Sequence, residues 1–238
     1  MSEFYVGYLP KAPERLRHAL RRMIAGLNLA AVVLALLLVF GQQPFADSRF
    51  EFLVYREYRG LVTASPYPSL RTESGRFLLA GPGKHGATDL VREYNLRDVQ
   101  LRGSLIRRND NMMLEIMPGS IRAIGSSGRV DQIRELGPIT LTGEIVDSKC
   151  YFGVMNPGNG KVHRDCAVRC ISGGIPPGFI VKDASGMTRT LILSGVESRE
   201  VLDFVAEPVK IRGRLQRLGD MLILVAERSG NKLAIERD

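Results

Sequence analysis

Tryptophan is absent from this 238-residue chain, aromatic residues make up 7% of it, and histidine and cysteine occur three times each. Sequence-tolerant nucleic-acid grooves stack bases on aromatic side chains set among clustered cations. Here aromatics are few, and 33 Lys and Arg are spread along the chain among 25 Asp and Glu. No nucleic-acid partner is therefore expected. The net charge of +8 suits anionic lipid headgroups or an acidic protein partner better. Two cysteine signatures are missing as well. Without C-x-x-C the usual thiol-oxidoreductase motif is excluded, and without C-x-x-C-H so is covalent haem.

What the chain does have is one long apolar run. From Met23 to Phe40 it reads MIAGLNLAAVVLALLLVF, 18 residues without a charge. At helical rise these span about 27 Å, close to the thickness of a bilayer's hydrocarbon core. Ahead of the run Lys11, Arg15, Arg17, Arg21 and Arg22 stand against Glu3 and Glu14, leaving a charge of +5 beyond it. The positive-inside rule then places the N-terminus in the cytoplasm and the remainder outside. An uncleaved signal-anchor is expected over a cleaved signal, whose apolar core is about 7–15 residues long and ends in small residues. Phe40-Gly41-Gln42-Gln43-Pro44 does not fit such an end. Size and topology suggest a bacterial inner-membrane protein with a basic cytoplasmic segment (1–22), a transmembrane helix (23–40) and a periplasmic remainder.

That remainder reads as an internal duplication. Val99-Gln-Leu-Arg-Gly103-Ser-Leu-Ile-Arg and Val209-Lys-Ile-Arg-Gly213-Arg-Leu-Gln-Arg both follow V-x-[LI]-R-G-x-L-x-R, and Asp110 and Asp220 occupy matching turn positions. Upstream of each lies a short stretch with helical spacing, Thr88 to Tyr94 and Glu197 to Val205. Before those come hairpins at 69–80 and 179–193, each turning at Ser-Gly, and opening strands at Arg59–Thr63 and Thr142–Val146. The order is strand, strand, strand, helix, strand, strand, twice over. This order resembles the five-stranded OB barrel across most of residues 50–236. The resemblance is at the level of the fold and implies no activity. The expected fold is mainly β with short helices: an N-terminal transmembrane helix followed by two OB-like five-stranded barrels, at 41–130 and 138–238.

The two units differ in one place. Gly103 and Gly213 are 110 residues apart but the opening glycines, Gly60 and Gly143, only 83, so the second unit carries about 27 extra residues between its first two strands. The insertion, at about 150–177, holds all three cysteines, Cys150, Cys166 and Cys170, together with His163. The loop joining the first two strands of an OB barrel borders its usual binding face. The first unit has only Ala64-Ser-Pro-Tyr-Pro-Ser69 there, so it reads as a scaffold or docking domain.

Asn156-Pro-Gly-Asn-Gly160 and Gly173-Gly-Ile-Pro-Pro177 bracket a stretch able to form a short helix, on which His163, Cys166 and Cys170 would share a stripe. With Cys150 folded back, they make a Cys₃His set suited to zinc, or to copper given thiolates and nearby Met155. Two other chemistries stay open. A disulfide from Cys150 to Cys166 or Cys170 would staple the insertion in an oxidising compartment. A reactive thiol at Cys166, activated by His163 and nearby cations, would make a thiol-dependent or metal-dependent enzyme. Gly81-Pro-Gly83-Lys-His-Gly86 matches G-x-G-x-x-G, but its unit is too small for a βαβ sheet, and it reads as a glycine-rich turn. The expectation is a metal-binding or accessory subunit of a membrane-associated complex, with a protein partner there.

Overall fold

A computed structural model describes residues 13–42, 47–126, 131–183, 187–230 and 232–238. The chain divides at Pro44 into two compact units. The first holds helix α1 (Glu14–Gly41), 28 residues long with none buried. From Met23 onward it carries no charge on any side, which suits hydrocarbon rather than water, and this helix is long and apolar enough to cross a membrane.

The second unit, Phe45–Asp238, holds two successive barrels. In the first, β1 (Ser48–Thr63), β2 (Ser69–Thr72), β3 (Gly75–Ala80), a short helix α2 (Thr88–Val91), β4 (Arg97–Arg108) and β5 (Asn111–Ile116) follow in order. β1 pairs with β2, β2 with β3, β3 runs parallel to β5, β5 pairs with β4, and β4 returns to β1. The ring closes with five strands, in the connectivity of the OB barrel. β6 (Arg122–Ser126) adds to the outer side of β4.

The second barrel repeats this plan. It comprises β7 (Arg134–Asp147), helix α3 (Arg164–Ser172), β8 (Pro177–Lys182), β9 (Thr188–Ser194), helix α4 (Ser198–Val201), β10 (Pro208–Leu218) and β11 (Met221–Ala226). Pairings run β7–β8–β9, then parallel to β11, then β10 and back to β7. Two small strands, β12 (Arg228–Ser229) and β13 (Lys232–Leu233), form a separate ribbon, and β14 (Ile235–Arg237) edges β10. The glycine shared by the two opening strands has the same purpose in both barrels. A Cβ on Gly60 would lie 2.0 Å from the Arg71 carbonyl oxygen, and one on Gly143 2.3 Å from that of Ile180. Only a residue without a side chain lets the neighbouring strand approach so closely.

Several expectations need adjusting. β1 begins at Ser48, well before Arg59, and β7 at Arg134, well before Thr142. The first hairpin turns at Ser74-Gly75, where Gly75 has φ 130°; the second turn, at Ser185-Gly186, lies outside the described residues.

Each barrel has its own core, around Leu70, Leu79, Leu101 and Leu114 in the first and Phe179, Leu193, Val209 and Leu224 in the second. A third cluster belongs to both. Leu78, Ile106 and Met113 of the first barrel pack with Phe152, Ile175, Ile180 and Ile192 of the second. The insertion thus serves as the seam between the barrels, with Phe152 as its fully buried centre. At its rim Arg108 stacks 4.0 Å over the Tyr151 ring, and the Tyr67 hydroxyl donates to the Leu193 carbonyl at 2.9 Å.

Candidate metal centre

The site forms where β7 ends. Asp147 is the last residue of that strand and is fully buried. Its Oδ1 accepts the backbone N–H of Cys150 at 2.7 Å, as a capping carboxylate does at the start of a helical turn. This fixes Cys150 at the entrance to the insertion. Gly160, with φ 76°, turns the chain into a tight three-residue turn, Lys161–His163, and α3 follows at Arg164. Cys166 and Cys170 sit one helical turn apart on α3.

The three cysteine sulfurs come within 4.8 Å of one another, and none is bridged. Cys150 Sγ and Cys166 Sγ are 3.9 Å apart, far beyond the ~2.05 Å of a disulfide. Tetrahedral zinc with bonds of about 2.3 Å would set its sulfurs about 3.8 Å apart. The observed separation therefore matches ligands of one ion. Cys150 and Cys170 are buried, and Cys166 is partly exposed.

His163 does not join these three in a single group. The anticipated helical stripe assumed 3.6 residues per turn from His163 onward, but the turn containing it is tighter, and the residue precedes α3. Its Nε2 lies 3.0 Å from Asp147 Oδ2, and His163, Asp147 and Cys150 form a second, wholly buried group with atoms within 4.8 Å. Cys150 is common to both groups. His163 is therefore adjacent to the sulfur cluster through Cys150, while the polar neighbour of Cys166 is a different residue.

That neighbour comes from the other barrel. Lys84 Nζ donates to Cys166 Sγ at 2.8 Å and approaches Cys170 Sγ at 3.7 Å. It belongs to the glycine-rich loop 81–86, which is pressed against the end of α3. Gly86 N–H donates to the Gly173 carbonyl at 2.8 Å. A Cβ on Gly173 would fall 2.0 Å from the Lys84 carbonyl oxygen, and one on Gly86 2.1 Å from that of Gly174. Lys149 holds the same loop from the other side. Its buried ammonium donates to the carbonyls of Gly81 (2.8 Å) and Gly83 (2.6 Å) and pairs with Glu115.

Electrostatics divide the thiols. Cys170 is held below the ordinary thiol range, first by its hydrogen bond with Cys150 and further by Lys84, against the effect of burial. Cys150 is pushed up by that same bond, then by burial and by the Asp147 charge. Lys84 is raised, chiefly by its bond to Cys166. The first negative charge of the cluster therefore belongs on the α3 side, facing Lys84.

Local spacing gave no means of finding Lys84 or Lys149 as parts of the site, since Lys84 is 82 positions from Cys166. The one signal was the glycine pattern of 81–86, which marks a close backbone approach. His18 Nδ1 donates to the Glu14 carbonyl within α1 at 2.8 Å, and His85 is exposed on loop 81–86. No family model, curated protein or solved structure matches this chain.

Proposed function

We propose that this chain is a membrane-anchored metal-binding protein that acts as an accessory or assembly subunit of a membrane-associated complex. The observation that carries the reading is the trio of unbridged sulfurs of Cys150, Cys166 and Cys170, all within 4.8 Å of one another and with the first two 3.9 Å apart. His163 stands beside them and supplies the nitrogen of the anticipated Cys₃His set once Asp147 releases it. Zinc is the metal of first choice for thiolate and imidazole donors, and copper the alternative. The apolar helix Glu14–Gly41 supports an anchor in the inner membrane, with the basic N-terminus in the cytoplasm and both barrels in the periplasm.

A second reading, a thiol-dependent or metal-dependent enzyme using Cys166 and His163, is favoured by one observation, the ammonium of Lys84 against a partly exposed sulfur. Both readings meet the same experiment. Full-length protein, purified in detergent from an oxidising compartment without added reductant, is analysed for metal per chain and for titratable thiols before and after chelation. One metal per chain, with three thiols accessible only after its removal, supports the metal centre. A metal-free protein whose Cys166 alkylates far faster than the other two supports the thiol enzyme. No metal and a single titratable thiol would refute both and leave a disulfide.

A further inference from the structure

The geometry points to Lys84, from the first barrel, as the counter-cation of the metal centre, which makes the site selective for a divalent ion held across both barrels. This rests on the metal-binding reading above. Three thiolates carry three negative charges. A divalent ion removes two of these charges and the ammonium of Lys84 offsets a third, with the buried Asp147 carboxylate beside Cys150 still adding to the negative side; a monovalent ion leaves one more uncompensated negative charge than a divalent one. Cys150 and Cys170 are buried, and net charge in such surroundings is costly unless paired.

Lys84 is placed for this task and not for ligation. Its Nζ lies 2.8 Å from Cys166 Sγ and 3.7 Å from Cys170 Sγ, and a protonated amine has donors but no lone pair for a metal. N–H···S bonds from an ammonium stabilise the thiolates that a cation needs, and outer partners of this kind commonly change metal affinity by 10–100-fold. The backbone that carries Lys84 is fixed independently, by Lys149 on one side and the Gly86–Gly173 contact on the other. A charge in the first barrel thereby becomes part of a site whose sulfurs all lie in the second.

The test uses the reduced full-length chain in detergent, titrated with zinc in competition with a chromophoric chelator, and with cadmium followed by its thiolate charge-transfer absorption. Lys84→Met removes the charge and keeps the stem, and Lys84→Arg keeps both. Lys84 is exposed, so neither change disturbs a core. With its ammonium on Cys166 Sγ but the side chain exposed to screening by water, Lys84→Met should weaken zinc and cadmium binding about 10–100-fold, nearer the lower end. Lys84→Arg should stay within about threefold of the parent. Parent-like affinity in Lys84→Met would overturn the counter-cation role while leaving the metal centre standing. Tight binding of monovalent copper with no binding of zinc or cadmium would overturn the divalent selectivity. Failure of the parent chain to bind any of the three would overturn the metal reading itself.

Discussion

Lys149→Met is the sharpest test of how the two barrels are joined. The Lys149 side chain is 3% exposed and the Glu115 side chain 13%. All three ammonium protons are used, on the Gly81 and Gly83 carbonyls and on Glu115. Methionine matches the length of the stem, so the change removes charge and donors without opening a large cavity. Breaking a buried ion pair from one side costs about 3–5 kcal/mol, chiefly because the remaining charge is stranded. Glu115 can reach water in part, which lowers its share, but two carbonyls lose a charged donor, each at about 1–3 kcal/mol. We expect a net loss of about 3–5 kcal/mol in urea unfolding of the full-length chain in detergent, at an unchanged slope. Lys149→Met combined with Glu115→Gln removes the stranded charge and should recover about 1–2 kcal/mol of that loss. Cys166 should alkylate faster in Lys149→Met, because loop 81–86 is no longer held over it. A single variant within 1 kcal/mol of the parent, or a double variant at the sum of the two single losses, would refute a load on this lysine.

Two further outcomes follow from the same seam. Gly173→Ala places a Cβ 2.0 Å from the Lys84 carbonyl oxygen, although Gly173 has an ordinary φ of −80° that alanine adopts freely; forced displacement of the loop should cost about 1–3 kcal/mol and weaken metal binding, and a stability equal to the parent's in thermal unfolding would show that the approach is not maintained. Burial alone would raise the Asp131 carboxyl, but hydrogen bonds from Arg76 and Arg71 outweigh it and hold the group below the ordinary carboxylate range. Its contribution is therefore fully present above the ordinary Asp value of about 4 and is lost as pH falls below it. Asp131→Asn should be less stable than the parent at pH 7, because Arg76 has a side chain only 2% exposed and loses its partner. The gap should narrow from pH 4 to pH 2, and a gap independent of pH would exclude the ion pair as its cause.

The barrels were legible because their determinants are local. Alternating apolar residues, a Ser-Gly turn and a short helical stretch each declare themselves within about ten residues, and the repetition of Arg-Gly at 103 and 213 aligned one unit with the other. The extra residues between the opening strands of the second unit also located the site, since Cys150, Cys166 and Cys170 do converge there. Their company was not legible. Whether His163 shares the stripe of Cys166 and Cys170 depends on the pitch of a single turn, and a tight turn ending at His163 moved it toward Asp147. Lys84 is not legible as part of the site for a different reason: its relation to Cys166 exists only once two separate barrels have packed. The short strands at the edges, β6 and β14, are not legible because three or four paired residues leave little periodicity to read.

The placement of the sulfurs and the ammonium on opposite sides of the seam has a thermodynamic corollary. An ion that binds more tightly while the barrels are docked tightens their docking, by at most the roughly 10–100-fold that Lys84 adds to its affinity, about 1.4–2.7 kcal/mol. Linkage is reciprocal, so anything that prises the barrels apart must lower the affinity for the ion by the same factor. A partner protein that wedges into the seam would therefore loosen the ion's hold without supplying a ligand of its own, because opening of the seam and loss of affinity are coupled.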